Sequence, residues 1–314
     1  MTVINKYTIQ IPVLDAGTYN LTVTTITDDD HNPVTKEVNI TVNKVNSTLT
    51  ISDIVFDYGS SGSIIVSITG ADGVNANVVG NPEAVVKVNG TNITVSDLDA
   101  GTYALTVITI ADKNHNNITK NATITVNKLK TELTGNAITV TYNVNKYLVI
   151  ALKDSNGKAL SGVKVTIDLN GAKTYTTDKN GQVKVSTKGL APKAYTAKIT
   201  FNGNTNYEKS TKNVKVTVKK AKPKLTAKKK TFKKSVKVKK YSIVLKNNLK
   251  KAIKKAKVYL KVGKKTYKAK TNGKGKATFK IKKLTKKGKY KATVTYKGNA
   301  CYNKVTKKVN IKIR

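Results

Sequence analysis

Few residues in this chain could do chemistry, and those few are poorly arranged for catalysis. The two histidines, His31 and His115, stand 84 residues apart in matching surroundings, so they are one position repeated, not partners. A nucleophile–base–acid set cannot be drawn around either. The single cysteine, Cys301, excludes an intrachain disulfide framework and reads as a small, half-apolar side chain. Asp28-Asp29-Asp30-His31-Asn32 has the oxygen count of a Ca²⁺ loop. The aligned loop, Asp112-Lys113-Asn114-His115-Asn116, keeps only one of those three carboxylates, so a solvated hairpin tip is the favoured reading. Residues 221–314 contain no Asp or Glu, which removes any carboxylate general base there and any acid to promote a Lys–Asn isopeptide bond. No catalytic residue, metal ligand or cofactor is expected, and the chain is not expected to be an enzyme.

Charge is the strongest chemical signal. The net charge of +42 is unevenly spread. Residues 1–128 hold 7 Lys and 12 acids, giving −5; residues 129–220 hold 16 Lys and 5 acids, giving +11; residues 221–314 hold 36 basic residues, giving +36. All the basic residues but Arg314 are lysines. Many alternate with apolar residues, as Lys257 and Lys261 do with Val258, Leu260 and Val262, which is the solvated face of a sheet. Alternation does not require the clusters Lys228-Lys229-Lys230, Lys233-Lys234, Lys264-Lys265 and Lys286-Lys287, which are the candidate polyanion contacts. Lysine is a point charge without the bidentate geometry of base readout, so sequence-specific nucleic-acid recognition is not expected.

Seven Asn-x-Ser/Thr sequons, at Asn20, Asn39, Asn46, Asn89, Asn92, Asn117 and Asn121, all lie in residues 1–128. They are candidate glycosylation sites. Strand alternation, which places polar residues at every second position, accounts for part of their number.

The elements that carry these residues are strands. Thr, Val, Ile and Tyr abound, no sustained i, i+3, i+4 stripe occurs, and alternating runs are separated by Gly-, Asn- and Asp-rich breaks. No apolar run approaches the roughly 18 residues that span a bilayer, so no membrane span is expected. Residues 1–44 align without a gap on 85–128, Asp15 on Asp99 and Tyr19 on Tyr103. The expectation is four units: 1–44, the C-terminal half of a repeat; then 45–128, 129–220 and a Lys-rich 221–314. The first is read as truncated, and a signal peptide, missing from the N-terminus, is expected in a lost upstream part. Strands are expected at 48–51, 63–69, 84–88, 93–95, 102–110 and 118–126, and at 147–152, 163–169, 182–186, 195–201 and 214–218. Asp178-Lys179-Asn180-Gly181 reads as a hairpin turn. In each unit a short turn delivers a tyrosine to an inward strand face: Tyr19, Tyr103, Tyr195 and Tyr290. A hydroxyl so placed is expected to bond upstream backbone, the tyrosine corner of immunoglobulin-like sandwiches. Linkers of a few residues suggest units stacked as a semi-rigid rod.

These features together resemble the bacterial-type immunoglobulin-like repeats of prokaryotic surface proteins. The resemblance is carried by the turn-Gly-x-Tyr strand and by Phe201-Asn202-Gly203-Asn204 with Tyr207, repeated as Tyr296-Lys297-Gly298-Asn299 with Tyr302. The run from Asp154 to Val163 is similar to invasin-type repeats, and Asn/Thr-rich repeats closed by a Lys-rich one are most like adhesin-like surface proteins of methanogenic archaea. The resemblance implies an all-β chain of tandem immunoglobulin-like sandwiches at the cell surface, acting as stalk and adhesion segment. The basic unit would associate with an anionic cell-wall or surface polymer, and other cells or a host surface would be further partners. Two alternatives remain at this point: a nonspecific polyanion- or nucleic-acid-binding protein, and the carrier part of a surface enzyme.

Overall fold

The computed structural model describes all 314 residues, and every regular element in it is a β-strand. Strand Gly101–Ile110 shows why. Its alternate residues Leu105 and Val107 are fully buried, while Ala104 and Ile108 face outward. Period-2 burial lets a strand, and not a helix, hide one apolar row. Contacts divide the chain into two compact units: Met1–Lys130 with Gly203–Glu208, and Thr131–Asn202 with Lys209–Arg314.

In the first unit, a four-stranded sheet runs in the order Gly73–Val78, Gly101–Ile110, Thr119–Asn127, Ile54–Asp57, the last pair parallel. Opposite it lies a sheet ordered Val85–Asn89, Asn92–Ser96, Gly62–Ile65. Leu49, Ile54, Phe56, Val66, Ile93, Val95, Leu105, Val107, Ile124 and Val126 fill the space between, each contributing about 1.5–3 kcal/mol on burial. Residues 1–44 form two hairpins, Thr2–Asn5 with Thr8–Gln10 and Gly17–Thr24 with Thr35–Val42. Leu21 and Val23, which align with Leu105 and Val107, are only half-buried, and Val13 and Ile26 are fully exposed.

The second unit contains two sandwiches of one topology. In the first, Thr131–Gly135, Tyr147–Asp154 and Gln182–Ser186 face a five-stranded sheet ordered Ile138–Thr141, Ser210–Lys219, Ala194–Phe201, Lys164–Asp168, Ala172–Thr176. In the second, Lys224–Thr226, Lys239–Lys246 and Lys276–Ile281 face Lys230–Phe232, Val305–Ile313, Gly288–Tyr296, Lys257–Val262 and Lys265–Lys270. The leading segment of each crosses from the three-stranded sheet to pair in parallel with the last strand. This is an immunoglobulin-like sandwich.

Alternation found the long strands and omitted Ile54–Asp57, Gly73–Val78, Thr131–Gly135, Ile138–Thr141 and Ala172–Thr176. All five sit at sheet edges. Asn, Gly and Thr blur the apolar row in Gly73–Val78, Thr131–Gly135 and Ala172–Thr176, while Ile54–Asp57 and Ile138–Thr141 are only four residues long. The turn at 178–181 is present but is no two-stranded hairpin. The strands it joins, Ala172–Thr176 and Gln182–Ser186, belong to opposite sheets. Its shape comes from Asp178, whose Oδ1 accepts the N–H groups of Asn180 and Gln182, and from Gly181 at φ +68°.

Candidate polyanion interface

Four tyrosines stand near the start of long strands, and each hydroxyl donates to the carbonyl four residues upstream. Tyr19 bonds Asp15, Tyr103 bonds Asp99, Tyr195 bonds Ala191 and Tyr290 bonds Lys286, at 2.8–2.9 Å. In Tyr103 and Tyr290 the ring packs on the core while the polar end closes the preceding turn.

The histidines serve their own loops. His115 Nδ1 lies 2.8 Å from the Asp112 carboxylate, which also accepts the N–H groups of Asn114 and His115. The His115 ring packs over Gly70, where a Cβ would come within 2.4 Å of it. His31 Nδ1 pairs with Asp28 at 2.6 Å in the exposed matching loop. No three His, Cys, Asp or Glu side chains converge as a metal-holding group. Beside His115, Asn114 donates its amide to Asp15 and accepts the Ala16 N–H, while Lys113 pairs with the same carboxylate. The hydrogen bond from Lys113, then that from Asn114, then the Lys113 charge hold the Asp15 carboxyl below its usual range. Asn206 repeats this clasp on Asp99 and Ala100.

The candidate lysines are all exposed, and the fold sorts them into separate places. Lys228, Lys229 and Lys230 lead into the strand at one edge of the five-stranded sheet, and Lys233 and Lys234 follow it. The Lys230 ammonium sits 5.3 Å from the centre of the Phe232 ring. Lys264 and Lys265 occupy the turn at the opposite edge, between Lys257–Val262 and Lys265–Lys270. Lys286 and Lys287 lie in the loop before Gly288–Tyr296. The clusters therefore do not form one patch. The wide outer faces between them are lysine-bearing as well, with Lys–Lys pairs directly opposite each other at Lys257/Lys270, Lys289/Lys312, Lys224/Lys246 and Lys240/Lys280. Like charges directly opposite each other destabilise a sheet.

Register matching of the two sandwiches in the second unit shows what has become of the acids. Residues 129–220 carry five: Glu132, Asp154, Asp168, Asp178 and Glu208. Their positions in 221–314 hold Lys224, Asn247, Lys261, Asn272 and Asn303. Where the acid shaped a turn, an amide does the same work. Asp154 Oδ1 accepts the N–H groups of Asn156 and Lys158, and Asn247 Oδ1 those of Leu249 and Lys251. Asp178 and Asn272 match in the same way, the latter accepting from Lys274 and Lys276. Where the acid stood on a strand, lysine replaces it: Glu132 faces Lys153 across its pair, whereas Lys224 faces Lys246. Sequence reading saw the absence of acids but not this positional replacement, because only the strand register aligns the two segments residue by residue.

All seven sequon asparagines are exposed. Asn89 and Asn92 face each other across one hairpin, and Asn20 and Asn39 are direct cross-strand partners. Cys301 is free and half-exposed.

No family model matches the chain, and no curated protein matches it. Solved structures similar to it include a fragment of a 1.5-MDa bacterial ice-binding adhesin, at 15% identity and TM-score 0.31 over 87% of this chain and 100% of that one. The I67–I69 fragment of titin follows at 11% identity and TM-score 0.36, over 85% and 98%. Drosophila N-cadherin EC1-3 matches at 14% identity and TM-score 0.33, over 84% and 98%. No functional assignment follows from similarity at that level.

Proposed function

We propose that this chain is a non-enzymatic stalk and adhesion segment of a cell-surface protein, and that residues 221–314 associate with an anionic polymer of the envelope by charge. The observation that carries this reading is the replacement of all five acids of one sandwich in its topological twin: the turn acceptors Asp154 and Asp178 by amides, the strand acids Glu132 and Asp168 by lysines, and Glu208 by Asn303. The fold tolerates the acids, so folding does not account for their removal. A domain of +36 with no negative group repels itself, and contact with a polyanion relieves that repulsion while releasing counterions. The asparagine-rich residues 1–128, with their exposed sequons, fit a glycosylated surface location.

The test is retention of the full chain on purified anionic cell-wall polymer across a salt series. Affinity should fall log-linearly as salt rises. Salt-independent retention, or none at low salt, contradicts the proposal.

A further inference from the structure

Resting on the polyanion reading, we infer that the principal contact is the groove between Lys265–Lys270 and Lys276–Ile281, and that it takes an anionic polysaccharide. In the 45–128 sandwich the strand Val85–Asn89 pairs with Asn92–Ser96 and closes the corresponding side. In 221–314 the chain after Lys257–Val262 turns back into the five-stranded sheet instead. Lys276–Ile281 is then left with a single neighbour, Lys239–Lys246, and its other edge is free. The edge of Lys265–Lys270 is free as well.

Between these strands lies a groove of about 450 Å³, lined by Lys265, Thr266, Tyr267, Lys280, Lys282 and Lys283. Strand register gives the twin residues in 129–220 as Gly171, Ala172, Lys173, Ser186, Lys188 and Gly189. Three of the four groove lysines therefore stand where the twin has Gly or Ser. The strand pairing at Lys280 forms in the twin with Ser186 instead, so packing does not require a lysine there. At Lys265 and Lys283 the turns themselves differ, since Gly171 (φ +111°) and Gly189 (φ +86°) are left-handed and the two lysines are not. Four ammonium groups around one concavity, with no acid to offset them, repel one another until an anion sits among them.

The lining favours a sugar polymer among polyanions. Ammonium groups take carboxylate or sulfate oxygens in any orientation. The Thr266 hydroxyl and the unpaired strand edge offer donors and acceptors for the hydroxyls between successive charges. Tyr267 packs against the core and is the groove's one ring, whereas single-stranded nucleic acid is held by successive stacking rings. Lysines along an edge discourage the strand pairing by which an acidic peptide would dock.

The full chain is titrated with polygalacturonate, single-stranded DNA and polyglutamate of matched charge. Two triple variants are compared with the parent. One puts the twin's residue at three of the groove lysines (Lys265→Gly, Lys280→Ser, Lys283→Gly); the other removes equal charge from the outer sheet face (Lys257→Thr, Lys291→Thr, Lys308→Thr). Thermal unfolding of each confirms that it folds. The groove variant should lose about tenfold or more in affinity for polygalacturonate, and the sheet-face variant about threefold or less. Equal losses from the two variants overturn the groove while leaving the charge reading intact. DNA or polyglutamate binding as tightly as polygalacturonate, with the same groove sensitivity, overturns the polysaccharide assignment. A parent chain that binds no polyanion overturns both readings.

Discussion

At the scale of single residues, two tyrosines in matching architecture should respond oppositely to loss of the hydroxyl. Tyr103 donates to the Asp99 carbonyl, so Tyr103→Phe should cost on the order of 1 kcal/mol in denaturant unfolding. A loss below about 0.3 kcal/mol would mean that water serves the hydroxyl equally well. Tyr296 is buried in the last core, its hydroxyl has no protein partner, and burial, then the nearby Tyr302, raises its pKa. Removing a polar group that gains nothing from its surroundings relieves a desolvation cost, so Tyr296→Phe should be neutral or stabilising by up to about 1 kcal/mol. Destabilisation by about that amount would reveal a partner for the hydroxyl. The difference was half legible in the sequence. Both tyrosines fall on inward faces by alternation, but only the turn ahead of Tyr103 brings a carbonyl within reach, and nothing upstream of Tyr296 does.

At the scale of elements, residues 19–26 and 103–110 hold one pattern in two settings. The first has its inward residues half-buried and the second has them fully covered, so amide exchange should be faster in 19–26. Equal protection would show that the two hairpins of 1–44 are stabilised in some other way. The clasp on Asp15 adds a pH dependence. Its folded-state carboxyl titrates below the unfolded value, so the stabilisation is fully present above about pH 4 and is lost as pH falls through the lower folded value. Exchange of the Ala16 amide should therefore accelerate below about pH 4, beyond the intrinsic pH trend, and Asp15→Asn should remove the excess. An unchanged profile in Asp15→Asn would show that the carboxylate does not hold the contact. Element scale is also where sequence reading stopped short. Leu105 and Val107 announce a central strand by alternation. Ala172–Thr176 does not, since an edge strand has neighbours on one side only, and Ile138–Thr141 alternates over just four residues. That Lys265–Lys270 and Lys276–Ile281 flank one groove depends on which sheet each joins, and no local pattern encodes that choice.

At the scale of the whole chain, composition already announced a basic C-terminal segment, and strand register adds that this segment is a twin stripped of acids. Restoring the twin's residues at all five positions (Lys224→Glu, Asn247→Asp, Lys261→Asp, Asn272→Asp, Asn303→Glu) leaves every turn acceptor in place. It also replaces the Lys224/Lys246 pair with opposite charges. If charge is what the segment has been shaped for, the restored chain should be at least as stable as the parent, because like-charge repulsion is relieved. It should nevertheless bind anionic polymer more weakly, with a shallower dependence of log affinity on log salt. The most direct test is that salt slope, measured on parent and restored chains side by side with their unfolding midpoints. A shallower slope with an equal or higher midpoint is the predicted result. An unchanged slope, or a restored chain that unfolds more readily, would contradict the account.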